Sequence, residues 1–502
     1  MELNVKLDRQ EKTPLFLQIA EQIVNDINSG LIKQGTRLPA ERKLANSLSV
    51  NRSTVINAYN ELADRGYVQS HIGSGTTVTN VNIEKEKEGN FVWRELLSGQ
   101  AESLINPYNS ALKELLSQRN LIAMDAGIAD PDHYPKKAFA DISQEILLSE
   151  GNMLLQHNSP QGLLSLRESL VSIMNARGIH SQVENVIVLN GSQQGLDLVS
   201  RILLEPGDSI ILEEPSFLGA IDTFRTYGVR LVGIPTDSEG MVTDFLEKAI
   251  KRTKPKFIYT IPTYHNPTGL SLSSTRRQEL LKIANRNHVP ILEDDPYGLI
   301  CFDNQPIPAL KALDTTESVI YLSTFSKVIA NGIRLGWMVV PPELTRIVSA
   351  AKQINDLHSS NLIQRMMDVY CRKGFFEQQI VDIRAKYKLK RDTMLKALEK
   401  YAPEGMSWNT PQGGFFVWVT LPEELSAIKV LEEAVNNKVS FVAGPVFYLN
   451  ENGSRKIRLN YSYASLEDIN RGIKILCNLI EGMKKKFAKN RKVFEKEYLP
   501  IV

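Results

Sequence analysis

The sequence predicts two unlike parts in one chain: a small, mostly helical head, then a large α/β domain closed by a small C-terminal part. Three observations predict this. Between residues 10 and 80, apolar residues recur at helical spacing and then give way to a hairpin pattern. From about 121 to 485, strand-like apolar runs alternate with helical or loop stretches, the pattern of a sheet with helices on both faces. The length of 502 residues exceeds the usual span of one domain.

In the head, Pro14 precedes a stretch in which Ile19, Ile23 and Ile27 recur every fourth residue, and Gly30 follows as a stop. This predicts a first helix. Gly35-Thr36-Arg37-Leu38 makes a turn, and Pro39 is well placed at the start of a second helix through Leu44, Ala45 and Leu48. Asn51 can cap a third, with Arg52, Ser53 and Thr54 in its first turn, Val55, Ala58, Tyr59 and Leu62 along one face, and Gly66 at its end. Two short helices in tandem are a helix-turn-helix, and Val68 to Val78, bearing Gly73-Ser74-Gly75, reads as a β-hairpin wing. Residues 1–80 hold nine Lys and Arg against eight Asp and Glu. Bulk charge therefore gives no argument for nucleic acid, and a helical module with another role stays open.

Residues 81–120 read as a linker. Glu84-Lys85-Glu86-Lys87-Glu88 alternates in charge with no apolar period, a solvated tether. Phe91, Trp93, Leu96 and Leu97, and later Leu112, Leu115 and Leu116, are expected to form short helices that dock on the next domain.

In the α/β part, the expected strands are Val186 to Leu189, Ser209 to Leu212, Phe257 to Ile261, Pro290 to Leu292 and Val319 to Leu322. Polar clusters follow each of them. Gly191-Ser192-Gln193-Gln194-Gly195 opens a helix and suits a phosphate cradle of backbone amides. Pro215-Ser216-Phe217 offers a flat ring for stacking, and His265-Asn266-Pro267-Thr268-Gly269 and Glu293-Asp294-Asp295-Pro296-Tyr297 come next. Last comes Ser323-Thr324-Phe325-Ser326-Lys327, with Arg334 seven residues beyond the lysine. A lysine between hydroxyls, followed by an arginine, suits a pyridoxal phosphate site: the amine forms a Schiff base while Thr324, Ser326 and Arg334 hold the phosphate. Read alone, it is equally a surface lysine beside a turn.

Composition narrows the class. With 42% hydrophobic and 23% charged residues, the chain is an ordinary soluble globular protein. The net charge of +2 leaves any nucleic-acid partner to be argued from a local motif. Cys301, Cys371 and Cys477 lack metal-ligand spacing and read as reduced and cytoplasmic. No signal-peptide pattern opens the sequence and no apolar run is long enough to span a bilayer, so no metal and no membrane are expected.

In Leu-Pro-Ala-Glu-Arg (38–42), Asn-Arg-Ser-Thr-Val (51–55) and Arg-Gly-Tyr followed by Gly-Ser-Gly-Thr, the head resembles the GntR type of winged helix-turn-helix. The resemblance implies that the third helix enters the major groove, with Arg52, Ser53 and Thr54 at the DNA and Arg37 and Arg42 on phosphates. In the order of its five clusters, the larger part is similar to the class I/II aminotransferases of the type I pyridoxal phosphate fold. That implies Lys327 as the catalytic lysine carrying pyridoxal 5'-phosphate, and Asp294 on the ring nitrogen. Asn266 and Tyr297 fall on the ring hydroxyl and Phe217 stacks on the ring. Ser192, Gln193, Thr324, Ser326 and Arg334 fall on the phosphate. Lys456-Ile457-Arg458-Leu459-Asn460-Tyr461 matches the family's carboxylate-binding arginine, which makes Arg458 the substrate anchor.

Two positions depart from the family pattern. His157 stands where a tyrosine often reaches the partner subunit's phosphate, and the loop Gly127 to Pro131 lacks the proline often found after the glycine. The basic tail, residues 486–502 with Lys484 and Lys485 before it, reads as a solvated helix end, with an extra DNA contact as the alternative.

The combination resembles the MocR subfamily of bacterial transcription regulators. It implies a cytoplasmic homodimer that binds an operator and senses an amine, an amino acid or the cofactor itself. The alternatives are an active aminotransferase that carries a DNA-binding head, and a cofactor carrier with neither activity.

Overall fold

In the head, isoleucines four apart give α1 (Leu15–Asn28) a stripe that buries Ile19 and Ile23 completely. α2 (Glu41–Leu48) and α3 (Arg52–Asp64) follow, and Leu44, Val55, Ala58 and Leu62 close the same core. Ser49, in the left-handed conformation at φ 52°, turns the chain between them, its N–H bonding back to the end of α2. β1 (Val68–His71) and β2 (Gly75–Val78) form the antiparallel wing, with Val68 opposite Val78 and His71 opposite Gly75. Leu38 N–H bonds Thr76 O at 2.9 Å, which ties the segment before α2 to the wing.

Two helix starts differ from expectation. Pro39 stands two residues ahead of α2, because Ala40 is the flanking residue; the Pro39 carbonyl accepts the Tyr59 hydroxyl at 2.8 Å instead. Asn51 flanks α3 in an extended conformation, but its side chain makes no capping bond.

The structure, a computed structural model, describes residues 3, 5, 7–9, 11, 13–28, 31–71, 75–79, 93–98, 101, 104, 120–303, 305–450 and 452–497. Gly30, Gly73, Ser74, the tether at 80–90, Phe91, Leu112, Leu115 and Leu116 lie outside the described residues. Trp93 to Leu96 form a short 3-10 turn, and Trp93, Leu96 and Leu97 are exposed. The chain divides into two compact units, Met1–Leu96 and Leu97–Val502.

Among the described residues, the first strand of the second unit is β3 (Ile122–Ala123). Next come β4 (Val186–Leu189), β5 (Ser209–Glu214), β6 (Arg230–Asp237), β7 (Gly240–Met241), β8 (Ile258–Thr260), β9 (Ile291–Asp294), β10 (Val319–Thr324) and β11 (Gly336–Val339). β4 to β11 make one sheet in the order β4-β11-β10-β9-β8-β5-β6-β7. β11 runs against both β4 and β10, and β7 runs against β6. The five strands expected from the sequence are therefore mutually parallel, and their C-terminal ends lie along one edge.

Period-two alternation explains why these runs are apolar throughout. On β4, Val186 and Val188 enter one core while Ile187 and Leu189 enter the other, and all four are fully buried. Each such burial contributes about 1.5–3 kcal/mol, so polar residues are pushed to the strand ends. β9 starts one residue later than expected and runs two further, because pairing with β10 continues through Tyr321 opposite Glu293 and Leu322 opposite Asp294. Asp294 thus ends the strand rather than following it. β6, β7 and β11 have no counterpart in the expected set.

The smaller sheet holds β12 (Ser407–Trp408), β13 (Phe416–Thr420), β15 (Val442–Ala443) and β16 (Lys456–Asn460) in the order β12-β13-β16-β15, and β14 (Val439–Ser440) pairs in parallel with β3. The last helix, Leu466–Glu497, runs unbroken through the start of the basic tail. Among the described residues, no helix is long and apolar enough to cross a membrane, and no three His, Cys, Asp or Glu side chains group as metal ligands. All three cysteines are buried as free thiols.

Candidate functional site

β10 ends at Thr324, whose hydroxyl accepts the Ser326 N–H at 3.1 Å and starts a single 3-10 turn, Phe325–Lys327. This brings the Lys327 amine over the C-terminal edge of the sheet. Its Nζ donates to Gly127 O at 2.6 Å and lies 5.9 Å from the centre of the Tyr297 ring. Burial first, and the Arg458 charge next, pull the amine's pKa from 10.5 down to about 8, against the opposing charge of Asp294. A buried amine of lowered pKa is a ready nucleophile.

Along the end of β9, alternation separates three acids. Glu293 accepts the Leu310 and Lys311 N–H groups at 2.8 Å each, and Asp295 pairs with Arg177 at 2.7 Å and the Tyr321 hydroxyl at 2.8 Å. Asp294 faces the cleft. Its Oδ2 accepts the Tyr259 hydroxyl at 3.0 Å, while its buried Oδ1 has no partner. Burial is the main force raising the Asp294 pKa to about 7.

β4 leads through Gly191, at φ 88°, into the helix Ser192–Leu203, which has no side-chain cap. At φ 88° the backbone favours glycine, and a side chain there would have to displace the Arg334 guanidinium, 2.6 Å away. Arg334, itself left-handed at φ 49°, reaches across to Asn190 O and Asn331 O at 3.3 Å each. Thr324 Oγ1 lies 3.0 Å from both Ser326 Oγ and Leu335 O. The Gln193 side chain turns to Gly219 O at 3.2 Å and Thr223 Oγ1 at 2.6 Å.

Asn266, after β8, accepts Arg458 Nη1 at 2.8 Å, and Arg458 Nη2 donates to Asp125 O at 2.8 Å. Phe416 and Phe447 hold the guanidinium at 4.3 and 5.0 Å, and its Nε has no partner. Burial lowers the Arg458 pKa to about 10, so the charge persists at neutral pH.

One cleft with about 610 Å³ of open space is lined by Ser192, Gln193, Phe217, Asn266, Asp294, Tyr297, Thr324, Ser326, Lys327 and Arg334, joined by Ile261, Pro296 and Asn331. The structure therefore brings all ten expected cofactor residues together. Arg458 stands beside the cleft through Asn266. His157 is exposed, its ring edge-on to His358 at 5.7 Å.

On the head, a groove is lined by Arg37, Arg42 and Arg52 together with Glu41, Tyr59 and Gly75. Arg52 Nε and Nη2 both donate to Glu41 Oε2, at 3.1 and 2.8 Å. Ser53 is exposed in the first turn of α3 and Thr54 is half-buried; neither lines the groove.

Sequence reasoning missed Tyr259, Arg177, the Gly127 carbonyl and the aromatic pair Phe416 and Phe447. Tyr259 sits inside an apolar run and gives no polar signal of its own. Arg177 lies in a loop far from any motif. The bond to Gly127 is made by backbone, which carries no residue signature.

The comparisons agree with this division. Residues 120–476 match the family described as aminotransferase class I and II, and residues 15–78 match the bacterial regulatory proteins of the gntR family. The uncharacterized HTH-type transcriptional regulator YisV of Bacillus subtilis is 32% identical over 93% of this chain and 96% of its own length. The aromatic-amino-acid aminotransferase 1 of Thermococcus litoralis is 37% identical over 74% of this chain and 91% of its own. A crystal structure of the Pyrococcus horikoshii kynurenine aminotransferase has a TM-score of 0.75 and 36% identity, covering 78% of this chain and 98% of that one. With both units matched in one polypeptide, the chain belongs to the aminotransferase class I and II family, in the MocR-type arrangement that sets a gntR-family head before that domain.

Proposed function

We propose that the protein is a pyridoxal 5'-phosphate-dependent, DNA-binding transcription regulator, acting as a cytoplasmic homodimer and sensing an amine or amino acid through its aminotransferase-like unit. The observation that carries this reading is the likeness to YisV, which extends over head and cleft alike.

The residues suit the cofactor. The unpartnered Oδ1 of Asp294 offers a ring nitrogen its acceptor, and the cradle at Gly191, with Ser192, Ser326 and Arg334 around it, suits a phosphate. Phe217 would cover the ring, Asn266 and Tyr297 would hold its hydroxyl, and Lys327 would carry it. Gln193 and Thr324 line the same cleft, with their side chains already engaged by protein partners. When bound, the cofactor supplies an electron-accepting ring and a carbon that reacts with amines. Arg458 would take the effector's carboxylate in a bidentate pair. On the head, Arg52, Ser53 and Thr54 would reach base edges, with Arg37 and Arg42 on phosphates.

A second reading, a working aminotransferase with a DNA-binding head, is favoured by the joint presence of Lys327, Asp294, Asn266 and Arg458. The deciding experiment is a DNA footprint on fragments selected from a random library, with and without pyridoxal phosphate and candidate amines. A footprint that changes with either ligand supports the regulator. Turnover of an amino donor with a 2-oxo acid, and no protected sequence, would replace it by the second reading.

The Arg52 side chain is about half exposed (55%) at the start of α3. Arg52→Ala is expected to cost about 1–3 kcal/mol of specific affinity, read by titration on the selected site against random DNA. An equal loss on all sequences, with a shallower salt slope, would instead assign it to phosphate.

A further inference from the structure

The geometry points to Tyr259 as the positioning residue for Asp294: its phenol occupies one carboxylate oxygen and thereby presents the other to the cofactor's ring nitrogen. This rests on the cofactor reading above. Tyr259 lies on β8, beside β9, directly opposite Leu292. It is fully buried and does not line the cleft, so it acts through Asp294 alone. Its ring stands edge-on to Phe224 at 5.3 Å and 74°, within one buried core.

A short carboxylate side chain can still rotate about its last torsion, and a hydrogen bond to one oxygen removes that freedom. Only Oδ2 is engaged, at 3.0 Å, so the buried Oδ1 is the oxygen left for a ligand. The phenol also affects charge. Burial drives the Asp294 pKa upward, and the Tyr259 hydrogen bond is the first force pulling it back. Tyr259 itself is held well above its ordinary range by burial and then by the Asp294 charge, so it remains a donor. The other groups facing the pair are Asp295 and Lys327 around Asp294, and Glu213 and Tyr297 around Tyr259.

The test uses the full chain and pyridoxal phosphate. Tyr259→Phe keeps the ring and deletes the donor. Retention of the cofactor should weaken about tenfold, as for loss of a hydrogen bond to a charged group. The pH midpoint of the bound cofactor's absorption change, which reports the proton on the Lys327 Schiff-base nitrogen, should rise, because a more basic and less well aimed Asp294 leaves the ring nitrogen less firmly protonated and so less able to withdraw charge from that nitrogen. Asp294→Ala sets the upper limit of both effects. Phe224→Leu disturbs the packing of the same ring without touching the phenol, and should lower thermal stability while leaving the midpoint in place. Should Tyr259→Phe fail to fold, 3,5-difluorotyrosine at position 259, a stronger donor, should move the midpoint down. An unchanged affinity and midpoint in Tyr259→Phe, an unmoved midpoint with difluorotyrosine, or a midpoint shift in Phe224→Leu as large as in Tyr259→Phe would each overturn the inference. A wild-type chain with no cofactor adduct on Lys327 would overturn it together with the reading beneath it.

Discussion

Lys327→Ala should abolish the borohydride-reducible pyridoxal phosphate adduct of the purified protein and its yellow colour. The amine reaches the cleft because Thr324 caps the turn that ends β10, and burial holds its pKa near 8. At pH 7 about one molecule in ten then carries a neutral amine, against roughly one in a few thousand for an exposed lysine. The sign follows from the direction of the shift. Protonation blocks the nucleophile, so adduct formation in the wild type should accelerate with rising pH up to about 8 and flatten above it. A rate that climbs steadily to pH 10 would mean that Lys327 is not desolvated in solution. A reducible adduct that persists in the alanine variant, located by peptide mapping to another lysine, would remove Lys327 from the site.

The clusters after the strands were legible because two local signals coincide there. A strand buried on both faces must be apolar, and the polar residues that break it mark its end. Ser192, Asn266 and Lys327 were found in that way. The same rule hid Tyr259. Inside a buried run, a tyrosine scores as core, and only the register of β8 beside β9 shows that its hydroxyl meets Asp294. Gln193, placed on the phosphate by resemblance, lines the cleft with its amide group turned to Gly219 and Thr223. In the head, the helical periods located α1 to α3, whereas Pro39 and Asn51 mark the helix starts without capping them, since a cap depends on side-chain torsions that the sequence does not encode locally. β11 has no signal of its own, because Gly336 and Trp337 follow directly on Arg334 and Leu335, and its role as an antiparallel strand between β4 and β10 is purely non-local.

Arg458→Ala should leave cofactor binding and DNA affinity without effector near wild type, and should abolish the effector's influence on DNA affinity. Arg458 is charged at neutral pH, held between Phe416 and Phe447, and donates to Asn266 Oδ1 and Asp125 O. A carboxylate that pairs with it in bidentate fashion can take the unpartnered Nε together with Nη2, so binding bears on the Nη2 bond to Asp125 O. The loop from Asp125 to Gly127 also accepts the Lys327 amine, at Gly127 O. Engagement of Lys327 by the cofactor, and of Arg458 by an effector, would thus both act on one short loop directly after β3, the strand nearest in sequence to residues 97–120 and the head beyond. A ligand shifts an equilibrium only by its difference in affinity between two states, and couplings of this kind are typically about 1–3 kcal/mol, or roughly 5- to 150-fold in DNA affinity. The measurement is DNA affinity with and without amine in wild type and Arg458→Ala, beside a chain cleaved between residues 80 and 90. Cleavage should remove the effector's influence while both units stay folded. An equal shift in wild type and Arg458→Ala would rule out the carboxylate anchor and place sensing at another site.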